Sequence, residues 1–339
     1  MRVMVTGGTG FVGAHTVKAL VDAGHEVTML VRNPDRIDAN VKPLGVGHLD
    51  YVVGDMTDSE AVGVAMEGCQ AALHAAAVVG LDRRRAAEVL AANPRGCRVV
   101  MDAAIQRELD PIVYVSSTSA LFTPGLTQLH AELPPAVVAS AYGQSKAMAE
   151  QLVRERQAQG APITITYPGG VMGPPAGDAV GEVAGGLLPQ LKSGTVPLAD
   201  ASWSIIDVRD LARIHAGVMR PGQGPRRYMC AGTYITMNES ARILRQITGR
   251  RFPVLPIPGA AFRGLGRVMD RVMQVAPIDS VFTLEAMTVL TRWVPSDDHL
   301  VHDELGVTYR DPAETYRSAL EGLLAAGLVS RRQVGTLAG

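Results

Sequence analysis

VTGGTGFVG, Val5 to Gly13, follows the short apolar run RVM and opens a stretch with helical spacing that continues to the glycine stop at Gly24. A β-branched run that ends in glycines and leads into a helix is a strand–turn–helix unit. Gly7, Gly10 and Gly13 are spaced as GxxGxxG, and Gly8, Gly10 and Gly13 as GxGxxG. Glycines at this spacing allow a tight turn, close approach of the backbone to a pyrophosphate, and packing of the helix on the strand. The helix N-terminus adds N–H donors and the positive end of its dipole. Standing after a first strand and before a helix, the motif implies a bound dinucleotide, with Phe11 and Val12 in the same cradle.

The rest of the chain supports that frame. HEVTMLV, LDYVVGD, AALHAAAVV, DPIVYVSS and PITITYPG read as five further strands. Between them lie a short helix from Glu60 to Met66, a long helical stretch from about Ala86 to Arg107, and a loop to about Ala139 leading into a helix around Tyr142. Strands that alternate with helices and are apolar on both faces make a parallel sheet covered on both sides. The expected fold is therefore α/β, a doubly wound parallel (Rossmann) sheet. Its ligands should sit outside the carboxyl ends of the strands, where Gly7, Arg32, Asp55, Ala75, Ser116 to Thr118 and Pro168 all fall. After Pro168 the pattern turns irregular; WSIIDVRDLARIHAGVM then reads as a strand and helix returning to the sheet, and helices dominate from Thr236. The expected division is a dinucleotide-binding domain over 1–168 with a return segment at about 203–232. A smaller, mostly helical substrate lobe takes 169–202 and 233–339.

Composition excludes several classes. A formal net charge of −1 gives no support to nucleic-acid or anionic-membrane binding. The runs Arg83–Arg85, Arg226–Arg227 and Arg250–Arg251 read as solvated faces or loop ends. No uncharged apolar run reaches a membrane-spanning length, and strand-like sequence from residue 2 leaves no room for a signal peptide. Cys69, Cys97 and Cys230 are odd in number and widely spaced, as in a reduced cytoplasmic protein without a disulfide framework. The eight histidines show no zinc-ligand spacing.

Two features carry chemistry. In SAYGQSKAMAE, Ser140 to Glu150, Tyr142 and Lys146 are four residues apart and share a helix face. An ammonium beside a phenol favours the phenolate and suits the pair to proton transfer near neutrality. The chain holds only four lysines, Lys18, Lys42, Lys146 and Lys192, yet keeps one here, where arginine would differ in pKa and geometry. The second feature is the end of strand two, MLVRNPDR. A free ribose 2′-hydroxyl is usually held there by an acid, but this chain has Val31 and then Arg32. A guanidinium suits a 2′-phosphate, so NADP(H) is favoured and NAD(H) is the alternative.

With these residues in hand the chain resembles the extended short-chain dehydrogenase/reductase family nearly end to end. The likeness is carried by TGGTGFVG, GDMTD, LHAAA, YVSSTSALF, YGQSK, YPGGVMGP, IIDVRDLA and DELGVTYRDPAETYRSAL. It is greatest to the dihydroflavonol-reductase-like and 3β-hydroxysteroid-dehydrogenase-like branch, of which LVRNPDR is typical. The resemblance implies Tyr142 as general acid/base and Lys146 as the cation that tunes it and holds the nicotinamide ribose. It implies Thr118 as the hydroxyl partner, with Ser117 the near alternative. Asp55 and Met56 would contact adenine, Ala75, Ala76 and Ala77 would line the ribose region, and Pro168 to Val171 would cover the nicotinamide. Helices four and five often pair in dimers of the family, so the resemblance allows a homodimer. Tyr167 stands where the family more often has arginine. His74 reads as a satisfied core histidine, and Asn93 as helix punctuation before Pro94.

The resulting expectation is an oxidoreductase that interconverts a small-molecule carbonyl and alcohol by hydride transfer, acting on a hydrophobic aromatic or alicyclic substrate. The alternatives are a nucleotide-sugar or related epimerase and a non-catalytic NADP(H)-binding regulator. Ser119 and Ala120 stand where family dehydratases carry an Asp-Glu pair, and the glycines of YPGGVMGP replace an Asn usual in nucleotide-sugar enzymes. Both substitutions favour the oxidoreductase. Phe122, Leu126, Met172, Trp203, Phe262, Met269, Met273 and Phe282 could line an apolar pocket, although core positions are expected for most.

Overall fold

The computed structural model describes residues 1–78, 86–137, 140–275 and 283–338. Arg83–Arg85 and Phe282 lie outside them. Six strands come in the expected order: β1 (Arg2–Thr6), β2 (Glu26–Val31), β3 (Asp50–Val53), β4 (Ala71–His74), β5 (Ile112–Val115) and β6 (Ile163–Pro168). The helices between them are α1 (Phe11–Asp22), α2 (Asp35–Asn40), α3 (Ser59–Ala65), α4 (Ala86–Gln106) and α5 (Ala141–Ala158). Local chemistry sets several starts. Asp58 caps α3 by accepting from the amides of Glu60 and Ala61, and Ser140 caps α5 by accepting from Gly143.

Beyond β6 come β7 (Gly170–Met172), α6 (Glu182–Gly185), α7 (Leu188–Ser193), β8 (Val196–Pro197), β9 (Ser202–Asp207) and α8 (Val208–Gly217). They are followed by β10 (Arg226–Cys230), β11 (Thr233–Thr236), α9 (Met237–Thr248), β12 (Val254–Leu255) and α10 (Gly259–Val275). Last are α11 (Leu284–Arg292), α12 (His299–Leu305), α13 (Pro312–Ala325) and α14 (Arg331–Val334).

The main sheet has seven strands in the order β10-β6-β5-β4-β1-β2-β3, and every neighbouring pair is parallel. The chain runs outward from β1 through β2 to β3, then returns to the other side of β1 as β4. That reversal is the switch point at which such sheets bind ligands. Helices α3, α4 and α5 cover one face with a core that includes Met101, Ile112 and Tyr167; α1, α8 and α12 cover the other over Val5, Met29 and Leu73. A third core around Leu191, Leu244, Phe252 and Tyr316 belongs to the C-terminal helices.

Three expectations need correction. The strand in WSIID does not join the main sheet: β9 pairs with β7 and β11 in a separate three-stranded sheet. The helix after it, α8, does pack on α1, and the seventh strand of the main sheet is β10. Arg226 and Arg227 are therefore strand residues: Arg226 is exposed, as a solvated face would be, whereas Arg227 donates to Gln157 at 2.8 Å and Glu132 at 2.9 Å. Arg250 is no solvated loop end either, because it donates to the carbonyls of Leu191 and Gln333 and lies over the Phe252 ring. Asn93 does not end a helix; α4 continues through Pro94.

Candidate active site

At the switch point the glycine turn is built by contact. Gly7 has φ +76°, and a Cβ on it would stand 2.6 Å from the amide nitrogen of Ala76. A Cβ on Gly13 would stand 2.0 Å from the carbonyl oxygen of Gly7, so α1 can approach β1 only with glycine there. Thr6 ties the turn to β4: its hydroxyl meets His74 Nδ1 at 2.6 Å and accepts from Ala76 N at 3.3 Å. His74 is the buried, satisfied histidine expected, and burial lowers it to about 3, with the Lys146 charge acting the same way.

A cavity of about 1180 Å³ opens over this turn. Its lining includes every residue singled out from the sequence as a cofactor or catalytic candidate. At one end are Gly7, Gly10, Phe11, Val12, Gly13, Arg32, Asp55 and Met56. The middle is formed by Ala75, Ala76, Ala77, Ser117, Thr118, Tyr142, Lys146, Pro168 and Val171. The far wall holds Val180, Val183, Trp203, Val289, Leu290 and Trp293.

The first end fits a dinucleotide. The α1 N-cap, Gly10, offers no side-chain cap, and the first N–H groups of a helix have no intrahelical partner. A Cβ on Gly10 would meet only the Gly7 carbonyl, at 3.4 Å, so packing does not demand glycine there; the space it leaves belongs to the cavity. Arg32 follows the last residue of β2 and is exposed, and Arg36 lines the same end one helical turn later. Asn40 holds this end together, donating to Thr9 O at 2.8 Å and accepting from Asp178 N at 3.2 Å.

In the middle, Lys146 is buried and its Nζ donates to Val115 O at 3.1 Å. Burial lowers its ammonium to about 8, against the opposing influence of Cys97 and Glu150. Tyr142, one turn earlier on α5, is partly exposed to the cavity. Thr118 is buried and its hydroxyl donates to Pro168 O at 3.1 Å. Ser117 instead caps the short 3₁₀ turn 118–120, accepting from Ser119 N at 3.2 Å and Ser119 Oγ at 2.9 Å.

Asn93, read from the sequence as punctuation, is a buried residue just behind the cavity wall. Its side chain accepts from Val78 N at 2.7 Å and donates to Val78 O at 3.0 Å and Ser145 Oγ at 2.9 Å. It thereby joins the cavity wall after β4 to α5, the helix that carries Tyr142 and Lys146. Val289 and Leu290 of α11, and Trp293, which caps its C-terminus in an extended conformation, were also missed. Of the apolar candidates, Trp203 lines the cavity, whereas Phe122, Met172 and Met273 are buried, and Phe122 stacks on Trp293 at 4.9 Å. Among the described residues no group of acidic, histidine and cysteine side chains could hold a metal ion, and no helix is long and apolar enough to cross a membrane.

A family profile described as NAD dependent epimerase/dehydratase matches residues 3–231. The chain is 32% identical over 267 residues to a putative dihydroflavonol 4-reductase from Synechocystis sp., covering 75% of this chain and 74% of that one. It is 28% identical to a 4-hydroxy-2-methyl-3-oxo-4-farnesyl-3,4-dihydroquinoline-1-oxide ketoreductase from Stigmatella aurantiaca, over 96% of this chain and 97% of the other. A UDP-glucose-4-epimerase from Stenotrophomonas maltophila, solved with NAD, shares the fold: TM-score 0.76, 19% identity, 97% of this chain and 100% of that one. The chain belongs to the NAD dependent epimerase/dehydratase family, the extended short-chain dehydrogenases/reductases. It is an NAD(P)-dependent oxidoreductase that uses a nicotinamide cofactor.

Proposed function

We propose that this enzyme is an NADP(H)-dependent reductase of a ketone or aldehyde on a hydrophobic, aromatic or alicyclic small molecule, able to run in reverse. The observation that carries the reading is that one continuous cavity spans the candidate groups. It joins the glycine turn and Arg32 at one end, the Tyr142–Lys146 pair and Thr118 in the middle, and an apolar wall with both of the chain's tryptophans. The α1 N-terminus would hold the pyrophosphate, Arg32 the 2′-phosphate, and Lys146 the nicotinamide ribose. When bound, the nicotinamide supplies the hydride.

The chain's own part is proton transfer and orientation. Tyr142 gives its phenolic proton to the carbonyl oxygen as that oxygen becomes an alkoxide. Thr118, whose hydroxyl can turn from Pro168 O, donates a second hydrogen bond to the same oxygen. Ser117 accepts twice from Ser119 and keeps its own hydroxyl hydrogen, so it is the alternative donor. Trp203, Val289, Leu290 and Trp293 offer a ring-shaped apolar substrate surface to pack against and exclude water. The named ketoreductase and dihydroflavonol-reductase relatives support a hydrophobic carbonyl substrate. Three buried free cysteines suit a reducing, cytoplasmic setting.

The test is NADPH consumption against dihydroflavonols, 3-ketosteroids, aromatic aldehydes and nucleotide-sugar keto intermediates. Turnover on a hydrophobic member is the expected result. Turnover confined to nucleotide sugars would replace this reading with an epimerase-type activity, and tight NADPH binding with no turnover would favour a cofactor sensor.

A further inference from the structure

One helical turn beyond Lys146, on the same face of α5, Glu150 is completely buried. Its Oε2 accepts from Ser116 Oγ at 2.8 Å, and its Oε1 accepts from Tyr167 OH at 2.5 Å and Arg154 Nε at 2.6 Å. Arg154 also donates to Tyr167 OH at 3.0 Å, Leu133 O at 2.8 Å and Ala131 O at 3.0 Å. A carboxylate is this deeply buried only where donors surround it. The proposed chemistry has given none of this network a task.

Its location supplies one. Ser116 directly follows Val115, whose carbonyl accepts from Lys146. The helix is therefore bound to two adjacent residues at the end of β5, through Lys146 and through Glu150, and to β6 through Tyr167. A slide or rotation of α5 that broke the Glu150 contacts would also displace Lys146 and Tyr142.

We propose that Glu150 is a positioning residue of the Tyr142–Lys146 site: its carboxylate holds α5 in register with the ends of β5 and β6 and offsets the charge of the Lys146 ammonium. This rests on the reading of Lys146 as part of the reductase site. The groups facing Lys146 are Tyr142 and Glu150 from its own helix, Cys97 from α4, Tyr114 from β5 and His74 from β4. Among the described residues, Glu150 is the carboxyl in this set. Burial holds the Cys97 thiol and the Tyr114 phenol well up, and His74 down to about 3, so these three stay neutral. Arg154 and Tyr167 face Glu150 from its other side.

The chain's four lysines make a direct test practical. With lysine labelled by carbon-13 at Cε, the Lys146 signal is assigned by its loss in Lys146→Met, and its titration is followed by NMR without substrate. In the wild type the midpoint should lie at about 8. In Glu150→Gln, which keeps shape and removes charge, it should move to lower pH by about one pH unit. The alkaline limb of the reductase pH profile should move with it, a change that a merely structural residue would not produce. Should that variant fail to fold, Glu150→Gln with Arg154→Met leaves no lone buried charge and carries the test; its midpoint should fall below the wild type by a smaller amount. A midpoint equal to the wild type in the variant that folds overturns the proposal. Absence of turnover in the wild type would count against the reductase reading instead, since the titration needs no reaction.

Discussion

In the proposed reading Arg32 and Val31 set the preference between the two nicotinamide cofactors. β2 ends at Val31, so no carboxylate stands at the place where a ribose 2′-hydroxyl is usually held, and the exposed Arg32 guanidinium lines the cavity immediately after it. A charge-assisted contact to a 2′-phosphate contributes to NADPH binding alone. Arg32→Ala should therefore weaken NADPH by about tenfold or more while changing NADH little, as read by titrating each cofactor against the protein's fluorescence. Equal losses for both would contradict the assignment. Arg32 was legible because it replaces an expected residue at a fixed place in the turn. Asn93 and Glu150 were not, since their partners lie 15, 52 and 34 residues away along the chain. Nothing in AANPRG or AMAEQL marks one polar side chain as buried and the next as solvated.

At the scale of the element, the turn from β1 into α1 separates packing from binding. The methyl of Gly13→Ala would collide with the Gly7 carbonyl at 2.0 Å, whereas that of Gly10→Ala would meet it only at 3.4 Å. Gly13→Ala should destabilise the fold by about 1–3 kcal/mol and abolish cofactor binding. Gly10→Ala should leave the melting temperature near the wild type yet weaken the cofactor, because its methyl stands in the cradle. Calorimetry with cofactor titration separates the two, and equal stability loss in both would refute the distinction. The strand–turn–helix was readable because backbone geometry restricts its sequence so tightly. The far wall of the cavity was less so: Trp203, Leu290 and Trp293 obey the same periodicity as core residues, and only the packing of α11 beside β9 turns them toward the cavity.

Over the whole molecule, alternating strands and helices predict the parallel sheet and its ligand edge, both of which the structure contains. The pairing of short strands is another matter. SWSIID is almost wholly buried, like the strands of the main sheet, but pairs in the smaller one, while β10 begins with two arginines and joins the main sheet through β6. Apolar pattern records that a strand is buried, not which edge receives it. Stability should reflect two histidines within these layers. His74 and His215 are each lowered by burial from 6.5 to about 3, and His215 is held between Thr16 and Thr166. Between those pH values the unfolded chain binds protons that the folded chain does not. Their contribution is therefore complete above 6.5 and is lost as pH falls toward 3. The melting temperature should drop across that range, and more shallowly in His215→Gln; parallel curves would show that His215 does not contribute.

The central claim is proton transfer by Tyr142, and Tyr142→Phe tests it most directly. The variant lacks one hydroxyl at the cavity and leaves the glycine turn, Arg32 and Lys146 in place. Single-turnover reduction of a carbonyl substrate by bound NADPH should slow by about 10²–10⁴-fold, with NADPH affinity close to the wild type. Reduction at a rate comparable to the wild type, with the cofactor bound normally, would contradict the account.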